Sequence, residues 1–438
     1  MSEYPGPGGA PGSPTALQTA QAVPADAADK LQAAVREVMS IQDVTVGWEN
    51  FTVRVRGQLI GTSEEAFYRL RPQFEALGHT PRLFKDGELD VVAAIPAVFG
   101  REPRRVPWGA LIFFVLTLIS VFWVGMSNEL YIPFWDAAYY RITGQTLLEY
   151  PADVLPNAAQ FQEALFNALL YTGALLGILG AHEMGHFLMA RRYKVHTTFP
   201  FFIPLPFNIL GTLGAVIAMR EPAPNRKVQF DIGVAGPLAG LVVAVPVLVI
   251  GLLLSEVSTQ AQILASMPAS IRDQIGFFQE GQSLLYLLAK LVVFGQVLPQ
   301  GDLDVFIHPV AFAGWAGLLV TALNLLPIGQ LDGGHVLYGL FGEKAGRVRI
   351  PVLAALVLLA AAGSLADAGI LDLGIGWSGW WLWVALIVFL VRRHAPVLDE
   401  ITGLDQPRWW VGVLTLIIFV LIFTPRPLVV TAAVLGVF

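Results

Sequence analysis

The chain has 438 residues, of which 55% are hydrophobic and only 14% are charged, and its mean hydropathy is +0.62. Because a soluble domain carries about 25% charged residues, this composition predicts a protein that lies mostly in a lipid bilayer, and it excludes a disordered chain and a soluble multidomain enzyme. The net charge of −6 is modest and no long basic run is present, so we expect no nucleic-acid partner. The chain contains no cysteine, so a metal would need His, Asp or Glu ligands.

The first part of the chain is predicted to lie outside the membrane. Residues 1–29 are rich in Pro, Gly and Ala, lack the features of a signal peptide, and are predicted to be a disordered tail. Residues 30–98 are predicted to form a small soluble α/β domain, in which His79 is expected to be an exposed loop residue. The predicted elements of this domain are helices at 31–41 and 63–77, a strand segment at 44–60 and a hairpin turn at 85–88.

Residues 106–438 are predicted to form a membrane domain. A helix needs about 20 apolar residues to cross a bilayer, and several apolar runs have about this length. Arg101, Arg104 and Arg105 directly precede the first run, which predicts that the soluble domain lies on the cytoplasmic side. The predicted spans are 108–126, 162–190, 230–254, 310–326, 350–366, 378–391 and 409–424.

Positive charges orient these spans. Basic clusters follow the second, fourth and sixth spans, and such clusters are typical of cytoplasmic loops. This orientation is consistent only if 284–298 does not span, so we expect that segment to be re-entrant or to lie at the outer surface, with 299–307 outside. Residues 429–438 are too few to be counted as a span. The predicted fold class is a mainly α polytopic membrane protein with about seven to eight transmembrane helices and a small N-terminal α/β domain.

The second predicted span contains three ionisable residues within a short stretch, His182, Glu183 and His186. Ionisable groups inside a membrane helix are costly and usually functional. Residues four apart lie on one face of a helix, so both imidazoles can reach one zinc ion at about 2.0–2.1 Å. Glu183 is next to the first imidazole and can accept a proton from a metal-bound water as general base.

A hydrolytic zinc site needs a third protein ligand and one open position. Asp332 follows the fourth predicted span, and both motifs approach the cytoplasmic ends of spans that run inward, so their depths match. Pro327 and the Gly333-Gly334 pair predict a break in the helix, which at membrane depth is tolerated only beside protein or a wet cavity. His335 stays open as a competing ligand with less support.

The segment His182–His186, followed by Asn324, Pro327 and Asp332-Gly333, resembles the site-2 protease family of intramembrane zinc metalloproteases. Residues 230–240 resemble the Gly-Pro segment of the helix between these motifs in that family. The resemblance covers about 160–345, which it identifies as a metalloprotease core. It is closest to the branch that has a soluble N-terminal domain and no PDZ insert, found in bacteria and chloroplasts.

This resemblance implies a role for each residue of the two motifs. The implied roles are Zn²⁺ ligands for His182, His186 and Asp332, a general base for Glu183, and substrate positioning or oxyanion stabilisation for Asn324. For Asn324 an equally open alternative is that its side chain caps or bridges helices.

Residues 199–219 combine three prolines, which forbid a regular helix, with a composition too apolar for a solvated loop. We expect a membrane-dipping hairpin or loop beside the active site, similar to the family's membrane-associated β-hairpin. Its strand edge could hold an unwound substrate segment by strand addition. The alternative is a loop that only anchors the protein in lipid.

The sequence therefore predicts an intramembrane zinc metalloprotease that hydrolyses peptide bonds in or near the transmembrane segments of membrane-protein substrates, in regulated intramembrane proteolysis. The predicted location is a bacterial cell membrane with the N-terminus in the cytoplasm, and the soluble domain is a candidate binding site for a regulator. Two alternatives stay open. One is a transporter or channel, in which broken helices and charges serve ion coupling, and the other is a catalytically silent protein that binds membrane proteins.

Overall fold

The computed structural model describes residues 25–48, 50–99, 107–270, 278–389 and 397–430. The chain divides into two compact units. The first unit combines the N-terminal residues up to Pro103 with two short later segments, Met219–Arg226 and Pro396–Gly403, and the second unit contains the other residues. Of the predicted tail at 1–29, residues 1–24 lie outside the described part of the chain, and the first helix already begins at Ala25.

The first unit contains a four-stranded antiparallel sheet and two helices that share one apolar core. Its elements are α1 (Ala25–Arg36), β1 (Met39–Trp48), β2 (Phe51–Leu59), α2 (Ser63–Ala76), β3 (Thr80–Asp86) and β4 (Leu89–Ile95). The strand order is β1-β2-β4-β3. Leu31, Phe67 and Phe74 from the helices pack with Val55 and Val92 from the central strands, because alternate residues of a strand face the same side of the sheet.

Two later segments complete this unit. Residues 398–400 run beside β3, where the Leu83 N–H donates to the Leu398 carbonyl (2.7 Å) and the Glu400 N–H donates to the Leu83 carbonyl (2.9 Å). From the other segment, Glu221 forms an ion pair with Arg71 on α2, with an Nη2–Oε2 distance of 3.0 Å. The first unit is therefore not contiguous in sequence, and the predicted domain at 30–98 lacks these two later segments.

The first unit differs from the sequence prediction in three details. The predicted helix at 31–41 ends at Arg36, because Met39 already pairs with Leu59 at the start of β1. The predicted strand segment at 44–60 consists of two antiparallel strands rather than one. The prediction that His79 is exposed is wrong: the residue is only 7% exposed, and its Nε2 lies 2.8 Å from the Thr52 Oγ1.

The second unit is mainly helical and contains three short two-stranded sheets. Its first elements are α3 (Trp108–Leu130), α4 (Phe134–Thr143), α5 (Ala158–Arg192), β5 (Phe201–Pro204), β6 (Thr212–Val216), α6 (Arg226–Leu253), β7 (Glu256–Thr259), α7 (Gln260–Ser266), β8 (Phe278–Glu280) and α8 (Leu284–Phe294). They are followed by β9 (Leu303–Phe306), α9 (Pro309–Asn324), α10 (Asp332–Phe341), α11 (Arg349–Asp367), α12 (Trp380–Phe389), α13 (Gln406–Ile422) and β10 (Leu428–Val430). The strand pairs are β5 with β6, β7 with β9 and β8 with β10.

Four helical stretches in the described part of the chain are long and apolar enough to cross a membrane, namely Trp108–Leu130, Ala158–Arg192, Arg226–Leu253 and Asp332–Asp367. The helices α9, α12 and α13, which were predicted to be spans, have between 10 and 17 residues. The predicted number of seven to eight spans is therefore not confirmed, whereas the mainly helical membrane architecture with a small N-terminal sheet domain is. Helix α8, in the segment predicted not to span, rises only about 16 Å, about half of the hydrocarbon core.

Helices α5, α6 and α9 pack together at the centre of the second unit. Ile178 of α5, Ala244 and Leu248 of α6, and Leu318 of α9 belong to one buried cluster. At Gly314 an added Cβ would lie 2.5 Å from the Leu248 Cα, so only glycine permits this close approach of α9 to α6. The packing of these three helices matters because His182, Glu183 and His186 lie on α5 and Asn324 is the last residue of α9.

The segment 199–219 contains the antiparallel pair β5 and β6, in which Phe202 pairs with Ala215. Phe202 packs edge-on against Phe114 of α3, with ring centroids 5.1 Å apart. The Ser120 hydroxyl, also on α3, donates to the Gly211 carbonyl (2.6 Å). The hairpin is therefore attached to the first long apolar helix of the unit by both apolar and polar contacts.

Candidate metal centre

Helix α5 carries His182 and His186 on one face. The helix begins with a capping box, in which the Asn157 side chain accepts from the Gln160 N–H and the Gln160 side chain accepts from the Asn157 N–H. It continues without interruption for 35 residues, so residues four apart are stacked one turn apart. The Nε2 atoms of the two imidazoles lie 3.2 Å from each other.

Asp332 reaches the same place from another part of the chain. Helix α9 ends at Asn324, the chain turns back on itself over 325–331, and α10 begins at Asp332. A side chain at Gly333 would overlap the Leu325 carbonyl, and one at Gly334 would overlap the Gly329 carbonyl, so both glycines are needed for this turn to fold against α10. The result is that the Asp332 Oδ2 lies 3.3 Å from each Nε2 atom.

The three donor atoms match the requirements of a zinc ion. A tetrahedral site with bonds of about 2.0–2.1 Å has neighbouring ligand atoms about 3.3 Å apart. The distances among His182, His186 and Asp332 are 3.2, 3.3 and 3.3 Å, so the three atoms form one face of such a tetrahedron and leave its fourth corner open. Two imidazoles with one carboxylate are a donor set that zinc accepts in hydrolytic enzymes, and these three residues could therefore hold this metal.

The His186 imidazole is oriented by helix α6. Its Nδ1 donates to the Ile232 carbonyl at 2.7 Å, which leaves Nε2 as the atom with the free lone pair. A Cβ at Gly236, one turn further along α6, would overlap the imidazole ring. At Gly240 an added Cβ would lie 3.2 Å from the His182 Cβ. Glycines on the facing side of α6 therefore create the space that both imidazoles occupy.

Glu183 and Asn324 border the three donor atoms. Glu183 is buried, with 6% exposure, and lies close enough to interact electrostatically with His182, His186 and Asp332. The Asn324 Nδ2 lies 3.3 Å from the His182 Nε2. The structure therefore brings all five residues singled out in the sequence to one site.

The other histidines have different surroundings. The His335 Nδ1 lies 3.2 Å from the Gln229 Nε2 on α6, and His335 is not among the three residues that could share a metal ion. His308 caps α9, since its Nδ1 accepts from the Val310 N–H at 3.2 Å. The suggestion that His335 competes as a ligand thus finds no support in this geometry.

A polar cluster next to the centre was missed by the sequence analysis. Arg408 on α13 donates from Nε and Nη2 to the two carboxylate oxygens of Asp231 on α6, each at 2.8 Å. The Tyr193 hydroxyl, directly after α5, donates to the same carboxylate. Asp231 and Arg408 each stand at the start of a predicted apolar run, and a charged residue at such a position is often functional or paired. The two residues are 177 positions apart, however, and the sequence does not indicate that they are in contact.

The region that contains these site residues is similar to known proteins. Residues 170–363 match the family model described as peptidase family M50, and this region contains His182, Glu183, His186, Asn324 and Asp332. The protein named "Probable zinc metalloprotease EGY1, chloroplastic" from Oryza sativa subsp. japonica is 31% identical over 398 residues, 85% of this chain and 62% of that protein. Its namesake from Arabidopsis thaliana is 36% identical over 243 residues, 54% of this chain and 40% of that protein.

A third relative, "Probable zinc metalloprotease EGY2, chloroplastic" from Arabidopsis thaliana, is 31% identical over 255 residues, 58% of this chain and 41% of that protein. The chain thus spans less than two thirds of the length of each of these three relatives. Helix α13 and its Arg408 lie beyond the region that matches the family model.

Proposed function

Because the chain belongs to peptidase family M50, the site-2 protease family, we propose that it is an intramembrane zinc metalloprotease that cleaves peptide bonds in or near transmembrane segments of membrane proteins. One observation carries this proposal: the Nε2 atoms of His182 and His186 and the Oδ2 of Asp332 lie 3.2–3.3 Å from one another in an apolar helical unit. The proposed membrane domain is 106–438, with its catalytic core at about 160–345.

The proposed metal ligands are His182, His186 and Asp332. Zinc bound to them would supply Lewis-acid chemistry, which polarises a carbonyl group and acidifies water. The Ile232 carbonyl contributes by holding the Nδ1–H of His186, so that the imidazole presents Nε2 to the metal. The burial of these groups supports the chemistry as well, because electrostatic interactions are stronger where bulk water is excluded.

Glu183 is the proposed general base and acid. Its carboxylate takes a proton from the attacking water as the water oxygen forms a bond to the scissile carbonyl carbon. When the carbon–nitrogen bond then breaks, the carboxylic acid returns this proton to the leaving amine nitrogen, so that Glu183 ends in its original state. Two observations support this role. Glu183 is buried beside the two imidazoles, and among the described residues its carboxylate forms no salt bridge with Lys or Arg that would compete for it.

Asn324 is proposed to bind the carbonyl oxygen of the scissile bond. Its Nδ2 lies 3.3 Å from the His182 Nε2, and hence next to the place where a bound metal and the reacting carbonyl would meet. An amide N–H in this position stabilises the negative charge that develops on the oxygen in the transition state.

The hairpin of β5 and β6 is proposed to hold the substrate. A substrate helix hides its carbonyl groups in its own hydrogen bonds and must be unwound before water can attack one of them. A two-stranded element has free edges, and an extended segment can bind to such an edge through backbone hydrogen bonds. The exposure of Phe207, which is 94%, and of Leu213 supports a location of the hairpin in lipid.

The proposed location is a bacterial cell membrane, with the first unit in the cytoplasm, although the relatives reported above are named as chloroplastic. Arginines before α3 and basic residues after α5 support this orientation. In this arrangement the first unit is also a proposed binding site for a soluble regulator. Reporter enzymes fused before residue 30 and after residue 438 would test the orientation by their activity on either side of the membrane.

The decisive experiment for the proposed function is the Glu183→Gln variant. Purified wild-type and variant protein would be reconstituted in liposomes with a panel of single-span reporter proteins, and cleavage products and bound zinc would be measured on the same samples. We expect one zinc per chain in both proteins and cleavage only by the wild type. Glu163→Gln, an exposed position on the same helix, is the matched control and should cleave like the wild type.

Three results would reject this proposal. A wild-type protein without zinc would favour the transporter alternative, in particular if an imposed ion gradient is dissipated through it. A zinc-loaded wild type that cleaves none of the reporters would favour the catalytically silent alternative. Equal cleavage by Glu183→Gln and the wild type would remove Glu183 from the mechanism.

A further inference from the structure

Asp231, near the start of α6, is held by groups from two other elements. Arg408 in the first turn of α13 forms a bidentate ion pair with it, with Nε–Oδ1 and Nη2–Oδ2 distances of 2.8 Å. The hydroxyl of Tyr193, the residue after α5, donates to the same carboxylate and lies 3.3 Å from the Arg408 Nη2. One carboxylate therefore joins the end of α5 to the beginnings of α6 and α13.

The residue that follows Asp231 contacts the metal centre. The Ile232 carbonyl accepts the hydrogen bond from the His186 Nδ1 at 2.7 Å. Because the carbonyl and the carboxylate belong to adjacent residues of α6, a shift of this part of the helix would move both. Tyr193 is about two helical turns after His186, so it lies on the same side of α5 as the two imidazoles. Asp231 thus binds α5 on the side that carries the metal ligands.

Arg408 is also held in place by Asp405. The Asp405 side chain caps α13 by accepting the Arg408 N–H at 3.1 Å, and it also pairs with the guanidinium through Nη1. A guanidinium with two parallel hydrogen bonds to a carboxylate sets both the distance and the angle between the two helices that carry these groups. A lysine at this position would keep the charge but could not form the bidentate pair.

Apolar contacts hold α13 in place independently of the ion pair. Phe230 and Val234 of α6, Val336 and Leu340 of α10, and Leu416 of α13 form one cluster. At Gly412 of α13 an added Cβ would lie 2.8 Å from the Leu340 Cδ2, so glycine permits a close approach of α13 to α10. Helix α13 therefore packs on α6, which orients His186, and on α10, which begins with Asp332. We therefore expect α13 to stay docked when the ion pair is removed.

We propose that Arg408 and Asp231 form a positioning pair, which holds the Ile232 carbonyl where it orients the His186 imidazole towards the metal. This inference rests on the proposed function, since it assigns the pair to the zinc centre. It also assigns a role to α13, which lies outside the region that matches the peptidase M50 model. The chain would thus support its metal centre with a helix that the family match does not include.

The test measures zinc binding and catalysis separately, on the full-length protein in detergent. The variants are Arg408→Gln, Arg408→Lys, Asp231→Asn and the double variant Arg408→Gln with Asp231→Asn. The zinc Kd would be obtained by competition with a chromophoric chelator, and the visible absorption of Co²⁺-loaded protein would report the ligand geometry. The matched control is Arg426→Gln, which removes the ion pair of Arg426 with Asp372 (3.0 Å) elsewhere in the same unit.

We expect Arg408→Gln and Asp231→Asn to raise the zinc Kd by about 10- to 100-fold, the range found when a residue that orients a metal ligand is removed. The Co²⁺ spectrum should change, kcat should fall and KM should stay close to the wild-type value. The zinc Kd of Arg408→Lys should lie between those of Arg408→Gln and the wild type. The zinc Kd of the double variant should be no higher than that of either single variant, because both substitutions remove the same interaction. Arg426→Gln should bind zinc like the wild type.

Unchanged zinc affinity and an unchanged Co²⁺ spectrum in both Arg408→Gln and Asp231→Asn would overturn the positioning role and leave the proposed function intact. An equal loss in Arg426→Gln would also overturn it, because the effect would then reflect general loosening of the unit. If Arg408→Gln cannot be purified in folded form, Arg408→Lys and Asp231→Asn decide the question by the same two measurements. A wild-type protein that binds no zinc would instead overturn the proposed function.

Discussion

The Oδ2 atom of Asp332 lies 3.3 Å from the Nε2 atom of His186, although the two residues belong to different helices and to distant parts of the chain. The contact depends on a chain reversal between α9 and α10 that brings the first residue of α10 to the middle of the second unit. Four expected outcomes follow from this centre and from the first unit.

Replacement of Asp332 by alanine should abolish zinc binding at ordinary concentrations. The variant keeps two imidazoles, but it lacks the third donor that a zinc site with an open position needs. We expect the zinc Kd to rise by more than about 100-fold, beyond the effect of changing an orienting residue. Zinc content after dialysis against a chelator would measure this. His335→Ala is the control that should keep its zinc, and zinc loss in that variant alone would make His335 the ligand.

A methyl group at position 236 should disturb the centre without touching a donor atom. In Gly236→Ala the new Cβ would overlap the His186 ring, so the imidazole must rotate or α6 must move away. We expect reduced zinc affinity and little cleavage activity. Gly177→Ala on α5 is a matched control, since nothing lies within 4 Å of its added Cβ. Similar zinc binding by Gly236→Ala and the wild type would contradict the packing described here.

Loss of the Asn324 amide should slow catalysis and leave the metal bound. If the side chain stabilises the developing oxyanion, Asn324→Ala should lower kcat by about 10²- to 10³-fold, as for other donors of this kind. Zinc content should equal that of the wild type. Asn167→Ala, which removes an amide that bonds to Glu129 on α3, should leave kcat unchanged. A wild-type kcat in Asn324→Ala would show that Asn324 only bridges helices.

In the first unit, Asp399 should make stability depend on pH. Its side chain is fully buried, and burial raises the pKa of its carboxyl above the usual value, although it accepts hydrogen bonds from the N–H groups of Ile401 and Thr402. A raised folded-state pKa means that the neutral form favours folding. This contribution is complete below the unfolded-state pKa and is lost as the pH rises through the folded-state pKa.

Asp399→Asn should therefore have the same thermal unfolding midpoint as the wild type at low pH and a higher one at neutral pH. Asp399→Ala should be less stable at every pH by about 1–3 kcal/mol, because it leaves buried N–H groups without an acceptor. Thermal melts between acidic and neutral pH would measure both variants. A difference between Asp399→Asn and the wild type that does not change with pH would contradict the raised pKa.

Local patterns predicted part of the architecture well. The apolar runs around Trp108–Leu130, Ala158–Arg192 and Arg226–Leu253 are long helices, because a run of about 20 apolar residues has few other stable forms in lipid. The prediction failed where pairing between strands overrides local spacing, as at Met39, whose partner is Leu59. It also failed at His79, because this residue is buried by a contact with Thr52 of β2, which lies 27 positions earlier in the chain.

The sequence by itself determined the membrane character of the protein and the candidate residues of its centre. Hydrophobic composition decides the solvent in which a chain can lie, and the spacing of His182 and His186 decides which face of a helix they share, so both are readable locally. Only the tertiary structure decided that Ile232 orients His186 and that Arg408 reaches Asp231. These contacts depend on how α5, α6 and α13 pack, and no periodicity along a chain records which residues of two distant helices will face each other.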